Sequence, residues 1–288
     1  MEVIKETAEM QALAAELIKE GKSIGFVPTM GYLHEGHLSL LQQARQQNDK
    51  VILSIFVNPL QFGPDEDLDA YPRDEQRDLT IAEENGVDIV FLPVEETMYP
   101  HPLSLKLSVV NRADVLCGRS RPGHFDGVVT ILAKLFNLCR PDRVYFGMKD
   151  AQQVAVVDAL IEDFNFPVEL KSVSTVREKD GLAKSSRNVN LSALEREEAP
   201  FIQQALQKGR MLAEEGENDI DVIVKETMKF IESKTHGKID YVELLSYPEL
   251  EPVDKIDRQV ILAAAVQFQH ARLIDNVVFD ETGAISKG

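Results

Sequence analysis

Over the first 175 or so residues the apolar positions alternate between two rhythms, one suited to a helix and one suited to a buried strand. Thr7 to Glu20 spaces Met10, Leu13 and Leu17 at helical intervals, with Thr7 placed to cap the helix and Gly21 to stop it. Ser23 to Val27 reads as a short buried strand and Gly36 to Gln47 as a helix. Val51 to Val57 (VILSIFV) is almost unbroken apolar sequence, as expected of a parallel strand covered on both faces. A polar, proline-punctuated loop follows from Asn58 to Arg73, then a helix near Asp74 to Asn85, a strand at Asp88 to Leu92 and an extended stretch over Leu103 to Val110. Gly127 to Leu138 has helical spacing, Arg143 to Phe146 reads as a strand, Ala151 to Asp163 as a helix and Val168 to Ser174 as a strand. Repeated strand–helix–strand units predict an α/β protein with a doubly wound parallel sheet. In such sheets ligands bind at the carboxyl ends of the strands, which serves as a filter on motifs.

Past Thr175 the rhythm changes. Ser192 opens a helix, and Glu195 three residues later completes a capping-box signature. A second helix is expected over Asp219 to Ser233, then strands at Ile239 to Leu245, Gln259 to Val266 and Arg272 to Phe279. Helices first and strands later predict a smaller α+β domain over residues 177–288, after an α/β domain over 1–176. The expected role of the second domain is to close over the active site.

Composition narrows the function classes. The 288 residues are 44% hydrophobic and 27% charged, an ordinary balance for a chain that buries a core. The formal net charge of −17 argues against a broad nucleic-acid footprint, which needs a positive surface. A polyanionic ligand should therefore mark where the scarce cations converge. Cys117 and Cys139 have neither metal-ligand spacing nor the look of a disulfide framework, and read as small buried residues of a reducing compartment. Met1 to Met10 is charged, and no run approaches the ~20 apolar residues of a membrane helix. A cytoplasmic protein is expected.

Three segments carry chemistry. Phe26 to His37 (FVPTMGYLHEGH) leaves a strand and enters a helix. His34 and His37 are three apart and face one side of the first turn; Gly36 lets the backbone approach a ligand, and the free N–H groups of the new helix attract anions. Two imidazoles at a helix start can donate hydrogen bonds to charge developing on a phosphate. The same spacing alone also fits a metal site or two surface histidines. At Phe146 to Asp150 (FGMKD) a second strand meets a helix, with Gly147 for close approach, Lys149 as a point charge and Asp150 as a cap. Lys184 to Asn188 (KSSRN), just after Asp180-Gly181 at the domain junction, sets two cations around two hydroxyls, the makings of a clamp for a triphosphate.

HEGH early and KSSRN late resemble the two signatures of the HIGH-motif nucleotidyltransferase superfamily, which includes class I aminoacyl-tRNA synthetases. Longer strings narrow the likeness. PTMGYLHEGH (Pro28–His37), FVNPLQFGPDEDLDAYPRD (Phe56–Asp74), RPGHFDGV (Arg121–Val128), FGMKDAQQ (Phe146–Gln153) and TVREKDGLAKSSRN (Thr175–Asn188) resemble the pantothenate synthetase family. The likeness spans nearly the whole first domain and the junction. Met148 stands where that family often has an acidic residue.

The resemblance implies a Rossmann-like first domain and an ATP-dependent condensation of (R)-pantoate with β-alanine. The products would be pantothenate, AMP and pyrophosphate, formed through a pantoyl adenylate. It implies that His34 and His37 contact ATP phosphates, His37 as proton donor, and that Met30, Gly31, Tyr32, Leu33, Glu35 and Gly36 wrap the nucleotide with them. Gly147, Met148, Lys149, Asp150, Val176, Lys184, Ser185, Ser186 and Arg187 would complete the ATP site, Lys149 and Arg187 joining the histidines in catalysis. Gln61 and Gln153 would hold pantoate, with Asn58, Tyr71 and Arg121 near pantoate or the phosphates. Residue pattern alone would put both glutamines on the surface. The loop bearing Asp65, Glu66, Asp67 and Asp69 is either a Mg2+ site or a solvated acidic loop. A homodimer is implied as well.

The chemistry needs no protein nucleophile, so positioning and charge stabilisation should dominate. No residue stands out as a base for the amine. The nearest rival is a nucleotidyltransferase that makes a dinucleotide cofactor and releases pyrophosphate but never AMP. A tRNA synthetase would need a basic anticodon-binding extension. A non-catalytic nucleotide-binding protein would have no need of both histidines and the clamp.

Overall fold

A computed structural model describes residues 1–285 apart from 65, 67 and 70. Six strands form one parallel sheet: β1 (Glu2–Ile4), β2 (Ile24–Thr29), β3 (Lys50–Ile55), β4 (Ile89–Phe91), β5 (Arg143–Gly147) and β6 (Glu169–Val173). They are hydrogen-bonded in the order β1-β4-β3-β2-β5-β6. From β2 the chain builds outward through β3 to β4, then returns to the other side of β2 to lay down β5 and β6. The topological switch point therefore lies between β2 and β5, where Gly25 pairs with Arg143 and Phe26 with Val144. Connections run through α1 (Thr7–Lys19), α2 (Glu35–Gln47), α3 (Glu75–Glu84), the short α4 (Glu95–Met98) and α5 (Leu116–Ser120), α6 (His124–Cys139) and α7 (Ala151–Asp163). Val27, Leu33, Leu41, Leu53, Val90 and Tyr145 are buried together in one core on this sheet.

The rest of the chain forms α8 (Ala193–Glu198), α9 (Pro200–Glu214), α10 (Ile220–Lys234) and an antiparallel sheet of β7 (Lys238–Ser246), β8 (Val260–Gln267) and β9 (Arg272–Phe279). Strand β8 sorts its side chains by parity. Val260, Leu262, Ala264 and Val266 enter a core with Ile202 and Leu206 of α9 and Ile223 and Ile231 of α10. Ile261, Ala263 and Ala265 face a second core with Leu116, Cys117, Ala151 and Ala155. An antiparallel strand that is apolar on both faces needs both faces covered, and these two cores cover them.

The chain divides into two compact units that do not follow its order. One unit takes residues 1–110, 121–147 and 156–173; the other takes 111–120, 148–155 and 174–288. Helix α7 is shared, its first turn belonging with the antiparallel sheet.

Several elements depart from expectation. Glu6 rather than Thr7 takes the N-cap of α1, and Glu6 makes no side-chain cap. The capping box of Ser192 and Glu195 is present, but its helix ends at Glu198 and Pro200 starts α9 from its first turn. No helix among the described residues is long and apolar enough to cross a membrane. Cys117 and Cys139 are buried free thiols.

Candidate active site

The loop leaving β2 is fixed before it reaches the first histidine. Thr29 Oγ1 donates to the Ser54 carbonyl at 2.8 Å and accepts from the Gly31 N–H at 3.2 Å. Gly31 and Tyr32 then take positive φ values of 84° and 51°. The Asp78 carboxylate, only 1% exposed, accepts from the N–H of Tyr32 at 2.7 Å and from the N–H of Leu33 at 2.8 Å. Arg77 donates to the Leu33 carbonyl at 2.8 Å and lays its guanidinium 5.2 Å from the centre of the Tyr32 ring. Leu33 is fully buried in the core, while Glu35 is exposed.

At the start of α2 the two histidines cap the helix for each other. His34 is the N-cap, and its Nδ1 accepts from the Gly36 N–H at 3.1 Å. His37 Nδ1 accepts from the His34 N–H at 3.2 Å, so the pair forms a capping box made of imidazoles. The ring centres are 4.1 Å apart. A ring nitrogen that accepts carries no proton, so both neutral rings hold theirs on Nε2. Gly36 also serves the cap itself. A Cβ there would sit 2.8 Å from His34 Cε1, so the glycine makes room for the ring that caps the helix.

A second cluster lies in the same unit. The turn Pro59–Gln61 follows β3, and Asn58 and Gln61 are 1% and 8% exposed. The expectation that Gln61 is a surface residue is thus corrected: α6 packs over the turn and buries it. Asn58 Nδ2 donates to Gln61 Oε1 at 3.2 Å and to the Gly127 carbonyl at 3.1 Å, and its Oδ1 accepts from Tyr99 at 2.8 Å. Gln61 Nε2 donates to Met30 Sδ at 3.2 Å, which ties this turn to the histidine loop. A Cβ on Gly127 would lie 2.3 Å from the Leu60 carbonyl oxygen, so only glycine permits this approach of α6. His124 Nδ1 lies 2.8 Å from the Gln61 carbonyl and its Nε2 3.1 Å from Arg121. Arg121 grips both oxygens of Glu66, at 2.8 and 2.6 Å, and this guanidinium holds the Glu66 carboxyl below the usual range. Tyr71 is buried, with its ring 6.1 Å from that of Phe62.

Strand β5 ends at Gly147, where an added Cβ would meet nothing within 4 Å among the described residues. The remaining predicted residues belong to the other unit. Met148–Asp150 is one 3-10 turn, and Asn276 of β9 holds it by donating to the Met148 and Lys149 carbonyls at 2.9 Å each. Lys149 Nζ is 3.9 Å from Asp150, which is exposed. Gln153 is half-buried, whereas its neighbour Gln152 is 6% exposed and spans the Cys117 N–H and the Arg112 and Val115 carbonyls at 2.8–2.9 Å.

Residues 176–184 double back on themselves: the Lys184 N–H reaches the Val176 carbonyl at 2.9 Å, and Arg177 bridges to Ala183. Lys184 Nζ pairs with Glu178 at 2.9 Å. Arg177 forks onto Asp275 of β9 at 2.6 and 3.0 Å. Ser185 caps the turn Ser186–Asn190 through the Arg187 N–H at 3.3 Å.

Of the acidic loop, Asp65 and Asp67 lie outside the described residues. Glu66 spends both oxygens on Arg121, and Asp69 is exposed. Among the described residues no group of three or more His, Cys, Asp or Glu could hold a metal ion. Sequence reasoning missed Asp78, Arg77, Thr29, Tyr99 and His124. Asp78 has no local signal, because the groups it serves are backbone N–H groups 45 and 46 positions away.

A family profile described as pantoate-beta-alanine ligase matches residues 2–278. A pantothenate synthetase of Geobacillus sp. (strain WCH70) is 59% identical over 280 residues, 97% of this chain and 99% of the relative. That of Bacillus subtilis (strain 168) is 58% identical over 97% of this chain and 98% of its own. The crystal structure of pantothenate synthetase from Thermus thermophilus superposes with a TM-score of 0.90 at 41% identity, covering 96% of this chain and 99% of that one. Pantoate-beta-alanine ligase from Francisella tularensis, complexed with beta-gamma ATP and beta-alanine, superposes with a TM-score of 0.80 at 34% identity, covering 98% of each chain.

Proposed function

The chain belongs to the pantoate–β-alanine ligase family and is a ligase that forms an amide bond, and from that premise we propose how its residues divide the work. Pantoate's carboxylate is a poor acceptor for an amine because its leaving group would be an oxide. One carboxylate oxygen attacks the α-phosphorus of ATP in line, the bond to the β-phosphate oxygen breaks, and pyrophosphate leaves with the electron pair. The resulting pantoyl adenylate is attacked at its acyl carbon by the free amine of β-alanine. AMP departs, the nitrogen loses a proton, and the amide remains.

One observation carries the assignment of roles: the reciprocal cap of His34 and His37. It fixes both rings as Nε2–H donors at the start of α2, where the positive end of the helix dipole also favours an anion. His37 donates to charge developing at the α-phosphate and His34 to the neighbouring phosphate oxygens. Residues Met30 to Gly36 wrap the nucleotide. Gly147 to Asp150 and Val176 support it further, with Lys149 as a phosphate cation. Lys184, Ser185, Ser186 and Arg187 take the departing pyrophosphate as the second domain closes.

Gln61 and Gln153 hold pantoate, with Asn58, Tyr71 and Arg121 around them. The described acidic residues do not fit a protein-held metal, so Mg2+ enters with the nucleotide's phosphates and no step is assigned to it. A cytoplasmic homodimer completes this reading; the homodimer follows the family resemblance, and sedimentation at micromolar concentration tests it.

The deciding experiment follows AMP. Its formation should require pantoate and β-alanine together, and exchange of labelled pyrophosphate into ATP should require pantoate alone. Exchange without pantoate would contradict the adenylate route. Pyrophosphate release with no AMP would favour a dinucleotide-forming activity instead.

A further inference from the structure

We infer that Asp78 is the positioning residue for the histidine loop: from α3 it sets the pose in which His34 and His37 meet phosphate. The inference rests on the phosphate role proposed above for those two rings. The chain turns sharply between β2 and α2, with positive φ at both Gly31 and Tyr32. Left-handed backbone costs a side-chain-bearing residue such as Tyr32 free energy and persists only where surroundings enforce it. The enforcement comes from one carboxylate. Asp78 is 1% exposed and takes the N–H groups of Tyr32 and Leu33 at 2.7 and 2.8 Å, charge-assisted bonds in a site closed to water.

The fit is tight, since a Cβ on Gly31 would lie 2.9 Å from the same carboxylate oxygen. Arg77 holds the other side of the loop through the Leu33 carbonyl at 2.8 Å and stands 3.7 Å from Asp78. His34 is the very next residue, so the direction in which the loop enters α2 is set by two backbone bonds to α3. A buried carboxylate facing two amides is a costly arrangement for mere stability, because an apolar contact between loop and helix would serve that purpose. What it adds is a fixed backbone direction, and the histidines are what that direction aims.

Asp78→Asn tests this. The amide keeps the shape but turns one acceptor into a donor that faces an N–H. Amide hydrogen exchange at Tyr32 and Leu33 in the ligand-free protein should rise at least tenfold with the circular dichroism spectrum unchanged. The rate of adenylate formation should fall at least tenfold, while attack of β-alanine on supplied pantoyl adenylate and its KM stay within about twofold. Unchanged exchange would overturn the inference, and so would faster exchange with a normal adenylation rate. Arg77→Gln, at a half-exposed position, serves if Asp78→Asn does not fold: it should shift the same two readouts in the same direction by a smaller factor, and no shift in either would count against the clamp. His37→Ala is measured alongside. A normal adenylation rate in that variant would sink the phosphate reading, while exchange at Tyr32 and Leu33 would still report on Asp78.

Discussion

At the scale of single residues, tautomer is set by close neighbours in the chain and charge by a partner supplied from far away. The Arg121–Glu66 pair gives a pH-dependent signature whose sign is fixed. The guanidinium holds the Glu66 carboxyl below its ordinary value of 4.5 in the folded protein. The stabilisation is therefore complete above that ordinary value and is lost as pH falls through the lower, folded-state value. Arg121→Met should be less stable than the parent at about pH 6, and the gap should shrink towards about pH 3, as read from urea midpoints. A constant gap would mean that the pair contributes nothing through charge.

The histidines were legible because two imidazoles at a strand-to-helix turn form a local pattern. Their reciprocal cap was not, because it replaces the usual Ser and Glu of a capping box with two imidazoles. Asp78 was invisible for the opposite reason. It is one acid in a helix whose sequence, EQRDLTIAEE, looks like a solvated surface. Gln61 misled because a glutamine's polarity says nothing of the helix that will cover it.

At the scale of elements, the parallel strands could be read from apolar runs, and their carboxyl ends correctly located the histidine loop. The three-residue β1 could not be read, since Glu2–Ile4 acquires its strand character only by pairing with β4. The break between α8 and α9 was carried by Pro200, whose missing N–H starts a helix as readily as it ends one. Helix α6 packs tightly against the turn Pro59–Gln61 at Gly127. Gly127→Ala would push a methyl to 2.3 Å from one backbone atom and 2.5 Å from another, neither of which can rotate away. A loss of about 1–3 kcal/mol in stability is expected, as for overpacking elsewhere. Because the displaced turn carries Gln61, KM for pantoate should rise several-fold more than KM for ATP. Steady-state kinetics beside denaturant midpoints separates the two effects, and equal changes in both KM values would remove Gln61 from the pantoate site.

At the scale of the whole molecule, a formal net charge of −17 makes the setting of a single lysine matter. Lys184 sits where residues 176–184 fold back, paired with Glu178 and carried by a segment that Arg177 anchors to Asp275. If its charge follows the departing pyrophosphate, Lys184→Ala should slow adenylate formation by roughly tenfold or more and spare the attack of β-alanine on preformed adenylate. Rapid-quench measurement of the two half-reactions decides it. Equal slowing would make the segment a general closure rather than a grip on pyrophosphate.

The division into units has a consequence for how such a protein can be inherited. Each unit is assembled from three separate stretches, so the chain passes from one to the other five times. Leu116, Cys117, Ala151 and Ala155, from the middle of the chain, are buried against Tyr241, Leu245 and Ile261 from its later part. A single cut after Val173 keeps the three stretches of the first unit together but strips the second of residues 111–120 and 148–155, which supply part of its core. The second unit therefore cannot be traded as a cassette, as a module joined by one linker can. Recombination that keeps its core must carry residues 111–120 and 148–155 along with the antiparallel sheet.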